Sequence, residues 1–216
     1  MRNRPLLGLI ATAAVLFPGL LSAQETQSAT GSGSSGSDSW SFSFIADGYI
    51  VPDSSFFVSP MLTADHDWLH LEGRYNYEDH STGSIWFGYK FRVGQRVLLE
   101  ATPMIGGVFG KTAGVAPGYE LSLSYRRLTL SDTGEYVFNA KDRSGSFYYA
   151  WPQLEYSLVE WLNVGFAAQR TKAYHTDFDV QRGALVGIAF RHVELTTYVF
   201  AGHSRPTVVL EEVFSF

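Results

Sequence analysis

The stretch Thr207-Val208-Val209-Leu210-Glu211-Glu212-Val213-Phe214-Ser215-Phe216 is rich in β-branched and aromatic residues and finishes on an aromatic. Such a run reads as a strand. It is the last of a series. Upstream, Ile85, Phe87, Tyr89, Phe91 and Val93 alternate with Ser84, Trp86, Gly88, Lys90 and Arg92. Tyr119, Leu121, Leu123 and Tyr125 alternate with Glu120, Ser122, Ser124 and Arg126, and Leu69, Leu71, Tyr75 and Tyr77 with His70, Glu72, Arg74 and Asn76. Trp40, Phe42 and Phe44 alternate with Ser41 and Ser43. A period of two places one set on each face of a strand.

Read along the chain, the pattern predicts about twelve strands, near 40–51, 55–63, 67–78, 84–93, 96–109, 115–126, 128–138, 146–157, 160–171, 180–190, 193–201 and 206–216. The second is weakened by Pro60, which cannot donate to a ladder. Connections alternate in kind. Tight turns fall around Ala64-Asp65-His66, Gly94-Gln95, Arg126-Arg127, Val159-Glu160 and Arg191-His192. Longer polar loops fall around Pro52-Asp53-Ser54, Asp79 to Gly83, Gly110 to Gly114, Asn139 to Gly145, Lys172 to Asp179 and Gly202 to Arg205. An even count puts both ends of the strand series on the turn side.

Arg2 and Arg4, an apolar stretch from Leu6 to Leu21, and Leu21-Ser22-Ala23 before Gln24 have the layout of a secretory signal peptide over 1–23. Residues 24–39 form a flexible Gly/Ser/Thr-rich linker, and 40–216 a single domain. Without cysteine there is neither a lipid-anchored lipoprotein nor a disulfide framework. Loss of Arg2 and Arg4 with the leader moves the formal charge from −5 to −7, which argues against nucleic acid as a partner. No later segment reaches the ~18 uninterrupted apolar residues of a membrane helix.

An exported chain that ends on a strand with a C-terminal Phe resembles the bacterial outer-membrane β-barrel proteins. The resemblance implies an all-β, antiparallel transmembrane barrel whose last strand closes the ring. It implies that Phe214 and Phe216 belong to the signal read by the insertion machinery, and that outer-membrane lipids surround the wall. A soluble barrel turns its apolar face inward and a membrane barrel turns it outward; periodicity alone does not separate them. Aromatics near strand ends favour the inverted form: Trp68, Trp161, Tyr125 and Tyr156 on the turn side, Tyr75, Tyr77, Tyr119 and Phe147 on the loop side. Two acids break the pattern. Asp132 faces lipid if its strand alternates strictly, and Glu212 stands where the family has an apolar residue; a β-bulge at each is the expected remedy.

The polar faces carry Glu72, Arg74, Lys90, Arg92, Glu100, Glu120, Arg126, Glu135 and Glu155, all expected to line the lumen. With strands ~4.7 Å apart and tilted near 40°, twelve give a backbone radius of roughly 12 Å, which leaves a passage of at most about 10 Å. The charges either hold the barrel together as a network or form a narrow porin-like channel for small hydrophilic solutes. The loops offer His80, His175 and His203 with Asp79, Asp177, Asp179, Ser81 and Ser204 nearby. Some outer-membrane barrels are lipid-modifying hydrolases built on Ser and His, but no spacing here specifies such a site. The same side chains lack a compact metal-ligand spacing. Lys141, Arg143, Lys172 and Arg205 suit contact with anionic headgroups or sugar phosphates. Gly106-Gly107-Val108-Phe109-Gly110 has no phosphate-loop lysine and supports no nucleotide site. The reading is a channel without cofactor or metal, a hydrolase or a closed structural barrel being the rivals.

Overall fold

Alternating residues build one continuous wall. In a computed structural model, residues 39–51, 56–173, 179–201 and 206–216 are described. The leader over 1–23, the linker (Ser39 apart), the Lys172 and Asp179 side chains, His175, Asp177, His203, Ser204 and Arg205 lie outside the described residues. Strands run β1 (Ser41–Ile50), β2 (Phe57–His66), β3 (Leu69–Tyr75), β4 (Thr82–Tyr89), β5 (Phe91–Val93), β6 (Val97–Gly110) and β7 (Gly114–Tyr125). They continue as β8 (Leu128–Asn139), β9 (Phe147–Val159), β10 (Leu162–Ala173), β11 (Asp179–Phe190), β12 (Val193–Phe200) and β13 (Thr207–Ser215). Strands β4 and β5 are one strand interrupted at Lys90, and both pair with β6. The result is a closed antiparallel barrel of 12 strands.

Closure joins the first strand to the last. Ser43 pairs with Ser215 and Ile50 with Val208, and the Phe42 and Phe216 backbones exchange hydrogen bonds of 3.0 and 2.9 Å. The tight turns and both ends of the strand series share one rim; the strand ends that lead into the longer connections share the other. Asp67, Gly94, Arg126 and Arg191 take positive φ in four of those turns, which reverses the chain in few residues. Strand β2 forms despite Pro60. Its ladder with β3 starts at Met61–Arg74, and beyond it side chains substitute: Ser59 Oγ donates to the Tyr75 carbonyl at 3.2 Å and Asn76 Nδ2 to the Val58 carbonyl at 3.1 Å.

The apolar set faces outward. Phe44, Leu62, Ile85, Phe87, Ile105, Leu121, Leu130, Leu154, Phe166, Val186, Ile188, Val199 and Leu210 are all exposed. This is the inverted arrangement, and the fold is a transmembrane barrel. Trp68, Tyr125, Tyr156 and Trp161 stand exposed at the turn rim, and Tyr75 at the loop rim. Two girdle expectations fail. Asn76 adopts φ 58°, which ends β3 and turns Tyr77 inward. Phe147 has the parity of Tyr149 and Trp151 in an unbroken β8–β9 register, so it packs inside against the Trp86 cluster.

Neither expected bulge exists. The β7–β8 register is unshifted from Gly114–Asn139 to Tyr125–Leu128, so Asp132 lies on the outer face. There the Tyr119 hydroxyl donates to its carboxylate at 2.9 Å. Tyr119 lies across Gly134, where a Cβ would come within 2.5 Å of the ring. The β13 ladders are likewise continuous; Glu211 turns inward and Glu212 remains exposed outside.

Candidate functional site

The inner wall takes the opposite parity, and its chemistry centres on β3. Arg74 is buried between two rings, its guanidinium carbon 4.4 Å from the centroid of Trp86 and 4.5 Å from that of Tyr77. Its Nη1 donates to Glu135 at 2.9 Å, and its Nε and Nη2 both reach Glu72 Oε2. Glu72 Oε1 meets His70 Nε2 at 2.7 Å, and His70 Nδ1 meets Asp65 at 2.7 Å. Lys90 Nζ completes the chain 3.0 Å from Asp65. An imidazole facing carboxylate oxygens from both nitrogens satisfies both as a donor only when protonated. This line of alternating charge runs from the break between β4 and β5 across β2 and β3 to β8, so each charge in it has a partner.

Trp86 is 1% exposed although it sits in a barrel lumen. Two glycines make room: a Cβ at Gly106 would lie 2.4 Å from the indole, and one at Gly118 2.8 Å away. The indole Nε1 donates to Ser84 Oγ at 2.9 Å and to Glu78 at 3.1 Å. In the Gly106–Gly110 run, Gly106 thus serves ring packing and Gly110 (φ 122°) a positive-φ exit.

Across the lumen an aromatic tract climbs the wall. Tyr77 meets Tyr149 at 5.8 Å, Tyr149 meets Trp151 at 6.4 Å, and Trp151 stands edge-on to Tyr198 and Phe200, each at 5.2 Å. Tyr49 stacks on Phe57 at 4.6 Å. These rings separate two spaces. One of about 440 Å³ opens toward the loops, between Tyr49, Tyr77, Asp79, His80 and Tyr149. The other, of about 170 Å³, lies in mid-lumen between Asp47, Tyr49, Tyr77, Glu120, Trp151, Tyr198 and Glu211. Tyr49 and Tyr77 border both. Toward the turn rim the wall is small and polar, with Ser43, Ser122, Ser124, Thr129 and Ser157.

Glu72, Arg74, Glu120 and Glu135 lie deep inside. Lys90 is half-exposed within. Arg92 and Glu100 face each other at 3.4 Å near the turn rim, both solvated. Glu155 faces inward beside Glu194. Arg126 departs: β7 ends at Tyr125, and Arg126 (φ 56°) turns its guanidinium over the Tyr125 ring at 5.3 Å, outside the lumen. Phe214 packs beside Phe44 at 6.5 Å and Phe216 beside Phe42 at 6.0 Å, on the outer surface of the seam. Asp47, Glu194 and Glu211 were not anticipated on the inner wall. Parity was the available signal, since Asp47 shares the Ser41–Ser43 face and only one of two adjacent glutamates in a strand points inward.

At the loop rim, Asp79 ties two connections together, accepting from Lys111 Nζ at 3.0 Å and Thr112 Oγ1 at 2.9 Å. Partial burial acts to raise its carboxyl, but these bonds outweigh it and hold the group below the usual carboxylate range. His80 donates its backbone N–H to Asp79 at 2.7 Å and sets its ring edge-on to Phe57. Among the described residues no hydrogen bond joins a Ser hydroxyl to an imidazole. His70, Glu72 and Glu120 converge within 4.8 Å, yet Arg74 and the His70–Glu72 bond already engage that group.

Together these features define a class: a transmembrane barrel of twelve strands whose lumen is polar, charged and crossed by an aromatic tract. No protein family matches the chain, and no curated protein matches it by sequence. Solved structures with the same fold include two of a KdgM porin. A KdgM porin superposes with a TM-score of 0.57 at 10% identity, over 81% of this chain and 99% of that one. A KdgM porin in complex with disordered oligogalacturonate gives 0.55 at 10% identity, over 82% and 99%.

Proposed function

We propose that this chain is a narrow, porin-like channel of a bacterial outer membrane, passing small hydrophilic solutes along its charged lumen. The observation that carries the reading is the inverted wall: apolar residues outside, and inside a polar surface enclosing two spaces that meet at Tyr49 and Tyr77. Export through a signal peptide cleaved near Gln24, insertion guided by Phe214 and Phe216, and a belt of membrane lipid complete the proposal. The lumen residues act in two ways. Glu72, Arg74, Glu135 and Lys90 hold the wall in shape through mutual pairing, while Glu120, Glu155, Arg92 and Glu100 present charge to the passing solute. The KdgM likeness supports a barrel of this size and strand order.

Charge separates this chain from a carrier of acidic oligosaccharides. Asp47, Asp65, Glu72, Glu100, Glu120, Glu135, Glu155, Glu194 and Glu211 face inward against Arg74, Lys90, Arg92 and His70. A wall with excess carboxylate attracts cations and repels polyanions. Conductance of the refolded protein in planar bilayers tests the reading: stepwise currents are expected, and a correctly folded barrel without current would overturn it.

A further inference from the structure

The mid-lumen cavity presents an electrostatic imbalance that the network around Arg74 does not resolve. Asp47 and Glu211 stand directly opposite each other on β1 and β13, both turned into a space of about 170 Å³. Like charges at directly opposed positions repel. Among the described residues neither carboxylate forms a salt bridge. Glu211 accepts one hydrogen bond, from the Tyr198 hydroxyl at 3.1 Å. Asp47 is 8% exposed, and its Oδ1, in the lining of that space, has no hydrogen-bond partner. The guanidinium that borders the cavity, that of Arg74, is already engaged by Glu72 and Glu135. A buried acceptor without a donor is costly, and with a second carboxylate directly opposite it asks for a positive partner.

The rest of the wall indicates which kind. Tyr49, Tyr77, Trp151 and Tyr198 line the same space. Aromatic rings beside carboxylates hold organic ammonium groups, because the ring faces attract a weakly hydrated cation that a carboxylate alone does not distinguish from a metal ion. An apolar cavity of ~150 Å³ holds a benzene-sized guest, so this one suits a tetramethylammonium or the end of an alkyl diamine.

We propose that the mid-lumen cavity is a binding site for small organic ammonium compounds, held by the Asp47 and Glu211 carboxylates within the aromatic wall. This rests on the channel reading for its route of access, since a solute reaches the cavity from the loops past Tyr49 and Tyr77. As a channel site it favours amines over inorganic cations and excludes anions of the same size.

The test uses the full mature protein refolded in detergent, titrated calorimetrically with tetramethylammonium chloride and, separately, putrescine at fixed ionic strength. Saturable binding is expected, weakened at least tenfold in the Asp47→Asn, Glu211→Gln variant and unchanged in Glu160→Gln, a substitution in the β9–β10 turn. Trp151→Leu weakens tetramethylammonium threefold or more. Heat-modified gel mobility verifies that each barrel is folded; Glu211→Gln alone replaces the double variant if that one does not fold. Absence of saturable binding to wild type overturns the site, because a proton alone then relieves the carboxylate pair. Equal binding in the double variant overturns it as well. Bilayer recordings in potassium chloride separate the two claims: current without ammonium binding removes the site and leaves the channel, and binding without current does the reverse.

Discussion

Arg74 has the most demanding environment in the molecule, since a charge inside a barrel wall is tolerated only with its partners in place. Arg74→Met keeps the length but leaves Glu135 without a cation and Glu72 with His70 alone, for a loss of about 3–5 kcal/mol. Reversible urea unfolding in lipid vesicles measures it, and a loss below 1 kcal/mol would contradict the network. Trp86 depends on absent side chains instead. Its ring lies where Gly106 and Gly118 have no Cβ, so Gly106→Val forces the indole out of its slot and costs roughly 1–3 kcal/mol. On the outer face, Tyr119 shields a carboxylate from lipid. Tyr119→Phe removes its 2.9 Å bond to Asp132, worth about 1.5–3 kcal/mol where a charged group is involved. Adding Asp132→Leu to Tyr119→Phe restores stability, because the carboxylate that the hydroxyl shields is then gone. If the second change gives no recovery in the same unfolding measurement, Asp132 is not the strained group.

Element by element, alternation exposed the strands, and turn chemistry placed the rims. Pro60 and Lys90 mark where that legibility stops. Pro60 weakens the reading of β2, yet its missing N–H falls at the end of the β3 ladder, where Asn76 and Ser59 supply the bonds instead. Lys90 fitted the alternating series, but the strand breaks there. Asn76 was hidden for a different reason. Its left-handed backbone depends on contacts to Val58 and Ser81, distant or local partners that a periodicity does not report. Strict parity was a better guide than the expected bulges: applied to β8 and β13 it sends Asp132 and Glu212 outward and Glu211 inward. The pairing of Arg74 across to Glu135 needed the closed ring, because the two are 61 residues apart. The loop rim adds a pH dependence. The Asp79 carboxyl lies below its ordinary value in the folded state, so its contribution is present above about pH 4 and lost as pH falls through the folded value. Amide protection in residues 76–81, taken relative to the intrinsic exchange rate at each pH, is therefore expected to fall on acidification, and unchanged protection would show that the tie to Lys111 and Thr112 does not order the loop.

For the whole molecule, an apolar exterior and an acidic interior point to one role. The wall suits lipid, and an acidic lumen favours cations over anions, while the Arg74 chain leaves the negative excess of the interior uncancelled. Phe214 and Phe216 lie on the outer surface of the closing seam, where removing one ring changes little of the finished barrel's packing. Phe216→Ala is thus expected to lower outer-membrane abundance more than unfolding stability; equal losses in both would contradict an assembly role. A cation-favouring passage is measured most directly by the reversal potential of the refolded wild-type barrel in a planar bilayer under a potassium chloride gradient. The acidic lumen predicts a potential on the cation-selective side that moves toward zero in the Asp47→Asn, Glu211→Gln variant. A folded barrel that carries no current, or one whose potential lies on the chloride side, would contradict it.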